Sequence, residues 1–514
     1  METADGALSP VPESSPIPAH VEPATATPPH VRKPWAKSIA PTYISLFLWL
    51  VYFDQLGRRA LPTGGLIWCV LGAATGGLLC YLLLYYAPAM WGQKTGLTTE
   101  VLSTSTFGER GSTWFARLLV GLVQVIWMAI STRYAASWSL QGLVSLGLLN
   151  PHSMQPLILG ASTLPSIVFL ITSVTWMFAA ALVGNYLVRV IIALMNVYPI
   201  FPAFALGLVT LIALKGTAGQ PAGVNAPPML MASTPQGGLE AFMLVVQWIF
   251  GFFACSATAA ADWGAISRSP KDVRLGGLVG VFFAAWIVAT LGLLVVAGTL
   301  GSASAPPQPL NLGPRVEATF QNALLMGMPA WVAGGTFLFF GVASLAPTCY
   351  AAFLLGTNLA GIWPRWSRRR WILLATPFAW LLSISQVPTR LEDIYTIMGA
   401  LFAPMIGALA ADYLRCRGQW TGARRGVNIP GLAAWGVGFL VGMTPLLGNI
   451  LGQASLMRFQ PAAVLGFVAA YVTYLVLASI GLESTLIEPS SLDATSESPP
   501  VSNHAGPADA TGQG

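Results

Sequence analysis

Long apolar stretches recur through the body of this chain and constrain its fold more than any other feature. A helix needs about 20 apolar residues to cross the hydrocarbon core of a bilayer. Stretches near that length fall at about 38–60, 66–90, 115–138, 157–181, 190–213, 239–262, 275–300, 324–355, 371–387, 393–413, 431–451 and 461–482. They predict an all-α polytopic membrane protein with 12 transmembrane helices, the eighth long enough to be tilted or preceded by a re-entrant piece. Only 9% of the 514 residues are charged and 55% are hydrophobic, whereas a soluble domain carries about 25% charged residues. A soluble fold is excluded.

The acids sit largely at the two ends: Glu2, Asp5, Glu13 and Glu22 at one, Glu488, Asp493, Glu497 and Asp509 at the other. Those ends are rich in Pro, Ser, Ala and Thr, and cannot bury enough apolar surface to offset the entropy of ordering. The expected organisation is a disordered cytoplasmic tail over 1–34, a transporter domain over 35–484 and a second disordered cytoplasmic tail over 485–514. The N-terminal tail has no apolar h-region and does not read as a cleavable signal peptide. An even number of spans puts both termini on one side. With that side cytoplasmic, eighteen basic residues fall inside, whereas Lys215, Arg315, Arg390 and Arg458 fall outside. This is a strong positive-inside signal, and the expected location is the inner (plasma) membrane. Anionic cytoplasmic lipid accounts for the net charge of +6 without a nucleic-acid partner. The expected partners are the bilayer and a small-molecule substrate; the oligomeric state is left open.

Several chemistries lack their residues. Cys69, Cys80, Cys255, Cys349 and Cys416 are scattered without metal-ligand spacing, and four of them lie in apolar spans where a thiol behaves as a small hydrophobe. His20, His30 and His504 are in the tails and His152 is in a loop. No metal or other cofactor is expected. An embedded enzyme would need a motif such as HExxH, and a primary pump a Walker A loop; neither occurs. Secondary transport is the leading class.

Secondary transporters bind substrate near the bilayer midplane, often where helices are interrupted. The first span holds Trp49, Tyr52, Phe53, Asp54 and Gln55. Counted from Lys37 at the inner interface, Asp54 lies about 25 Å along a helix rising 1.5 Å per residue, past the centre. Arg58, four residues on, is placed to pair with it. Two readings stand: an outer-end salt bridge, or a substrate or proton site at a helix break. In the third span, Gln124, Trp127 and Ser131 share one stripe, offering an aromatic face beside groups that read a polar edge; packing is the plainer reading of such a Trp. In the sixth, an aromatic stretch containing Phe252 and Phe253 gives way to small residues over 254–261, which permit close helix contact or unwinding. Asp262, just before Arg268, Lys271 and Arg274, reads as a cap or loop anchor.

Three stretches carry a resemblance. "GQKTGLTTEVLSTSTFGERGS" (92–112), running into "GLVQVIW", resembles the loop between spans two and three of the nucleobase–cation symport family, which contains bacterial cytosine and purine permeases. "TAAADWGAISRSPKD" (258–272) and "APMIGALAADYLRCR" (403–417) resemble that family's span six and span ten ends. Order and spacing hold over roughly residues 35–480. The resemblance implies the 5+5 inverted-repeat fold of the amino-acid/sodium symporters, with repeats at about 38–213 and 239–413 and two extra helices at about 431–482. It implies broken spans 1 and 6, and spans 3 and 8 lining the site. Trp127 then matches the stacking tryptophan, Phe253 the aromatic on the other face of the ring, and Cys255 a small position at the break of span 6. Leu50, Tyr52 and Phe53 fall around the break of span 1, with Asp54 just beyond. Family members that use sodium bind it partly through oxygen groups of span 8, where Phe340, Ala343 and Ser344 leave one hydroxyl. The expected activity is import of a nucleobase (cytosine or purine) or related planar heterocycle by alternating access, coupled to H+ with Asp54 and Ser344 as coupling candidates, or to Na+. A thiamine-precursor pyrimidine, hydantoin or allantoin is the alternative cargo, and a non-transporting sensor the further one.

Overall fold

A computed structural model describes residues 26–39, 46–159, 162–186, 200–214, 234–300 and 328–487, without the side chains of 46–51, 53, 158–163 and 200–202. The described residues are helical almost throughout. In order come α1 (Trp35–Ile39), α2 (Leu46–Leu79), α3 (Tyr86–Thr95), α4 (Thr99–Phe107), α5 (Arg117–Ser145), α6 (Ile167–Tyr186), α7 (Ile200–Ala213), α8 (Pro235–Ser256) and α9 (Ala260–Ala265). They are followed by α10 (Pro270–Gly277), α11 (Ala284–Leu300), α12 (Ala330–Ala343), α13 (Leu345–Ile362), α14 (Arg368–Ile384), α15 (Leu391–Arg415), α16 (Ile429–Gly442), α17 (Thr444–Leu451) and α18 (Ala462–Ser479). Among the described residues, eight helical runs are long and apolar enough to cross a membrane, or nine if α16 and α17, bent by 49°, count as one.

Local chemistry explains the breaks. The first two expected spans lie in one helical run, divided at Gly65, whose φ of 67° only glycine adopts without strain. The expected fourth span begins late: between Pro156 and Pro165 the chain forms an antiparallel pair of strands, Leu157–Leu159 and Ser162–Leu164, and the helix starts at Ile167. Proline breaks helical hydrogen bonding on each side of that apolar segment, which is why hydropathy alone misassigned it. The eighth span is long, as expected, running from Ala330 to Ile362 with a turn at Ser344. Thr234 caps α8 by accepting from the Gly237 N–H at 3.0 Å, with Pro235 at the first helical position. Ser269 and Asp272 form a reciprocal cap on α10, and Asp272 also accepts from the Trp35 N–H at 3.0 Å.

Two packed groups of helices result. In one, α2 lies against α8 and α11; in the other, α5 lies against α12, α13 and α14, with α6 packed on α13. The interior is dominated by small residues, aromatics and hydroxyls, whereas Ile67, Ile171, Leu182, Phe204 and Trp331 face outward, as a lipid-facing surface requires. Close approach is extreme where α3 meets α9: a Cβ added to Gly92 would overlap the Ala261 carbonyl, and one added to Gly264 the Ala89 carbonyl. That crossing joins two of the family-like motifs by small-residue packing.

The N-terminal segment, the α3–α4 region, the α9–α10 turn, the α15–α16 loop and residues 483–487 meet on one basic face. Thr27 N–H donates to the Gly96 carbonyl at 2.8 Å, Lys33 bridges Ser267, Arg424 and Arg415 both pair with Glu483, and Ile487 N–H donates to Ala423 O at 2.9 Å. Within the segment 26–34, expected as part of the N-terminal tail, the Thr27 and Lys33 N–H groups thus donate to the Gly96 and Ile266 carbonyls of the helical body. Residues 1–25 and 488–514 lie outside the described residues.

Candidate substrate site

A cavity of about 470 Å³ runs from the middle of α5 to the basic face. Its walls follow from helical spacing. On α5 the residues facing it are Arg117, Val120, Gln124, Trp127 and Ser131, with Ala116 just before; on α13 they are Pro347, Tyr350, Ala351, Leu354, Thr357 and Asn358. Each set recurs at three- and four-residue intervals, so each is one helix stripe. Span six adds Cys255, Ser256, Thr258, Ala259, Asp262 and Trp263, and α4 adds Thr99, Glu100 and Ser103.

Trp127 and Cys255 meet at the deep end. The indole Nε1–H donates to the Cys255 Sγ at 3.3 Å. Just after Cys255, at 257–259, the helix tightens into a 3₁₀ turn before α9. The expected break of span six is therefore absent: Pro235–Ala265 is one continuous helical span, and its only departure from α-helix in the small-residue run is this 3₁₀ turn. Gln124 spends its amide N–H on the Val120 carbonyl at 3.2 Å, and Asn358 does the same to Leu354 at 2.9 Å. Both residues line the cavity, and each amide keeps an oxygen able to accept. Ser131 is almost fully buried at the inner end of the same stripe.

Three further expectations are corrected. Phe253 is not among the lining residues but is buried in the core; the aromatic of α8 that meets Trp127 is Phe252, edge-on at 5.7 Å between centroids. Adjacent helical residues point about 100° apart, so only one of the two phenylalanines can face the indole. The other aromatics of the cavity wall are Tyr350 and Trp263. The break expected at Leu50 is also absent: the backbone is helical from Leu46 through Phe53 to Gly64. Residues 40–45 and the side chains of Leu50 and Phe53 lie outside the described residues. Thirdly, Tyr52 does not line the cavity but packs above it, against Trp248 at 5.6 Å, Phe252 at 5.2 Å and Tyr395 at 4.8 Å.

That buried aromatic cluster closes the side away from the basic face. Gln55 extends it by donating to the Tyr134 hydroxyl at 3.5 Å, and Arg59 pairs with Glu392 beyond it. Asp54, also buried and outside the cavity wall, pairs with Arg58 at 3.4 Å. Ser344 is fully buried, donating to the Phe340 and Gly341 carbonyls at 3.0 and 2.6 Å. Arg133 is structural, as its position suggests: it donates to the Ser383 and Ser385 carbonyls at 3.1 and 2.9 Å, tying α5 to the end of α14.

At the mouth, two carboxylates grip α4. Asp262 accepts from the Thr99 N–H and hydroxyl at 3.3 and 3.2 Å, capping the start of the helix. Asp412, fully buried, accepts from the Ser105 and Thr106 hydroxyls at 2.7 and 2.8 Å near its end. Asn428 donates to the Thr106 carbonyl at 2.8 Å. Asp262 is thus the anchor its sequence position implied. Glu100 of α4 pairs with Arg117 of α5 at the cavity wall. Sequence reasoning missed Tyr350, Asn358, Glu100 and Arg117.

Comparison with known proteins places this architecture. The family model described as permease for cytosine/purines, uracil, thiamine, allantoin matches residues 59–476. A putative allantoin permease of Escherichia coli (strain K12) is 22% identical over 349 residues, 64% of this chain; the chain spans 66% of that relative's length. The nucleobase-cation-symport-1 family transporter Mhp1, closed with bromovinylhydantoin bound, superposes with a TM-score of 0.62 at 16% identity, covering 90% of this chain and 96% of Mhp1. Its inward-facing conformation gives 0.61 at the same identity, over 91% and 96%. A Na+-coupled sialic acid symporter gives 0.52 at 10% identity, over 91% and 94%. These likenesses establish the symporter fold, and the family match, spanning most of the helical body, establishes that the chain belongs to the nucleobase–cation symport family of permeases.

Proposed function

We propose that this permease carries a small, uncharged, planar nitrogen heterocycle, a nucleobase or a hydantoin-type ring, by alternating access. The basic face is cytoplasmic on this reading, in the inner (plasma) membrane, and the described conformation is open inward. The carrying observation is the Trp127 indole at the deep end of the cavity, hydrogen-bonded to Cys255 where span six tightens. A flat ring gains about 1–3 kcal/mol from stacking on such a face. The Gln124 amide oxygen, the Ser131 hydroxyl and backbone near 257–259 would read its N–H and C=O edge. Tyr350 replaces Phe253 as the candidate for the second face.

Charge narrows the cargo. Glu100, Asp262 and Arg117 line the cavity, so two carboxylates outnumber one guanidinium and an anionic ring is disfavoured. The hydantoin bound to Mhp1 and the allantoin relative support the hydantoin-type alternative to a nucleobase. For coupling we favour H+: of the three span 8 positions, Phe340 and Ala343 supply no side-chain oxygen, which leaves the single Ser344 hydroxyl. Asp54 is the carrier on this reading. Uptake into proteoliposomes that is undiminished in sodium-free buffer and abolished by collapsing the pH gradient is expected; strict sodium dependence contradicts it. The reading of the cargo is tested by a thermal-shift screen of purines, pyrimidines, hydantoins and allantoin. At least one class should raise the melting temperature, and a panel without effect removes the proposal.

A further inference from the structure

The loop joining α13 to α14, "IWPRWSRRRW" (362–371), is not used by the transport pathway, yet it concentrates charge and aromatic surface. Arg368, Arg369 and Arg370 form the first turn of α14, where there is no acidic residue and the Ser367 side chain does not cap. Three cations therefore sit at the positive end of a helix dipole, an arrangement that repels itself unless an anion is supplied. Among the described residues, no carboxylate pairs with Arg365, Arg369 or Arg370. Arg369 lies over the Tyr186 ring at 5.0 Å and Arg368 over Phe353 at 4.9 Å, fixing where the guanidinium groups stand.

Beside them is an indole cluster. Trp363 meets Trp114 at 5.4 Å and Trp371 at 5.3 Å, and Trp366 meets Trp371 at 5.0 Å. Trp114, Trp363 and Trp366 remain exposed. Tryptophan at this density marks the level of lipid headgroups. Directly beyond, α14 presents Leu373, Leu374 and Phe378 outward, and the adjoining α6 presents Phe178 and Leu182. The surface thus passes within one helix length from exposed guanidinium, through indole, to bare aliphatic side chains. A soluble anion matches the first part alone, and a protein partner would leave the last part in lipid.

We propose that this surface binds an anionic phospholipid of the leaflet on the basic face, with the headgroup phosphate on Arg365, Arg369 and Arg370 and the acyl chains along the groove between α6 and α14. The generic excess of basic residues on this face does not account for it, because Lys37, Lys271 and Arg425 share the face without adjoining exposed indoles. The bound lipid fastens the helix group that holds α5 and α13, and hence Trp127 and Tyr350, to the leaflet.

The test uses the full-length protein in mixed micelles containing phosphatidylcholine, phosphatidylglycerol or cardiolipin, with inorganic phosphate as a separate arm. Retained lipid is counted by native mass spectrometry and stability by thermal unfolding. The triple variant Arg365→Gln, Arg369→Gln, Arg370→Gln should unfold as the parent does in phosphatidylcholine. It should lose the extra stabilisation that anionic lipid gives the parent, with apparent lipid affinity reduced roughly 100-fold. The charge-matched control Lys37→Gln, Lys271→Gln, Arg425→Gln should keep that stabilisation. The proposal is overturned if the first variant keeps the full anionic-lipid shift, if the control loses it equally, or if phosphatidylcholine or free phosphate produces the same shift as the anionic lipids.

Discussion

Asp262 and Thr99 are joined by two hydrogen bonds, through the Thr99 backbone N–H and hydroxyl, so the end of span six caps the short helix α4 that walls the cavity mouth. Asp412, from the end of span ten, holds the other end of the same helix through Ser105 and Thr106. The three stretches with the family resemblance are therefore one device in space: a loop helix carried between two carboxylates.

This predicts that Asp412→Ala destabilises the protein. The substitution leaves the buried Thr106 hydroxyl without its acceptor and Ser105 with the Leu102 carbonyl alone, a loss of about 1–3 kcal/mol. Thermal unfolding in micelles should show a lowered midpoint, with Asp412→Asn intermediate because an amide oxygen still accepts. A midpoint equal to the parent's in Asp412→Ala would show that the clamp contributes nothing.

The close crossing of α3 and α9 makes a second stability prediction. Gly264→Leu must push the helix away from the Ala89 carbonyl, whereas Gly335→Ala, where nothing stands near the added carbon, should be tolerated. Expression and monodispersity of the two variants provide the comparison; a well-behaved Gly264→Leu protein would mean that the contact is looser than described.

A third prediction concerns the seal away from the basic face. Arg59 and Glu392 are partly exposed, and such a pair contributes about 0.2–1 kcal/mol. Glu392→Gln should therefore shift the balance of conformations toward outward opening by a few-fold at most, whereas Tyr395→Ala, which empties the buried aromatic cluster, should shift it further. Alkylation of a cysteine placed at Gln55 reads this, faster in both variants and fastest in Tyr395→Ala. Unchanged rates in both would remove the seal from the account.

The charge of the cavity wall predicts selectivity. A pyrimidine bearing a carboxylate should bind more weakly than its neutral parent, and Glu100→Gln should narrow the gap. Competition between the two ligands provides the measurement; equal affinity in the parent protein would contradict it.

Much of this was legible in the chain and some was not, for physical reasons. Helical spacing alone put Gln124, Trp127 and Ser131 on one stripe, and all three line the cavity. Small residues after Cys255 suggested close contact or unwinding, and the helix there stays continuous with a 3₁₀ turn at 257–259. The choice between Phe252 and Phe253 was not legible, because neighbouring residues differ by a rotation that hydropathy does not carry. Nor was the start of the fourth span, since the flanking prolines, rather than apolarity, decide it. Tyr350 and Asn358 escaped notice because an isolated polar residue in an apolar span looks alike whether it faces a cavity or a neighbouring helix.

The central claim is that a flat ring rests on the Trp127 indole beside Cys255, and its direct test is binding to a Trp127→Ala variant. Isothermal titration of the best ligand from the heterocycle panel should show affinity reduced roughly 5- to 150-fold, the equivalent of about 1–3 kcal/mol of stacking. Trp127→Phe should retain most of the affinity, and both variants should remain folded, with Trp127→Ala melting lower because it loses its contact with Phe252. Parental affinity in a folded Trp127→Ala protein would contradict the account.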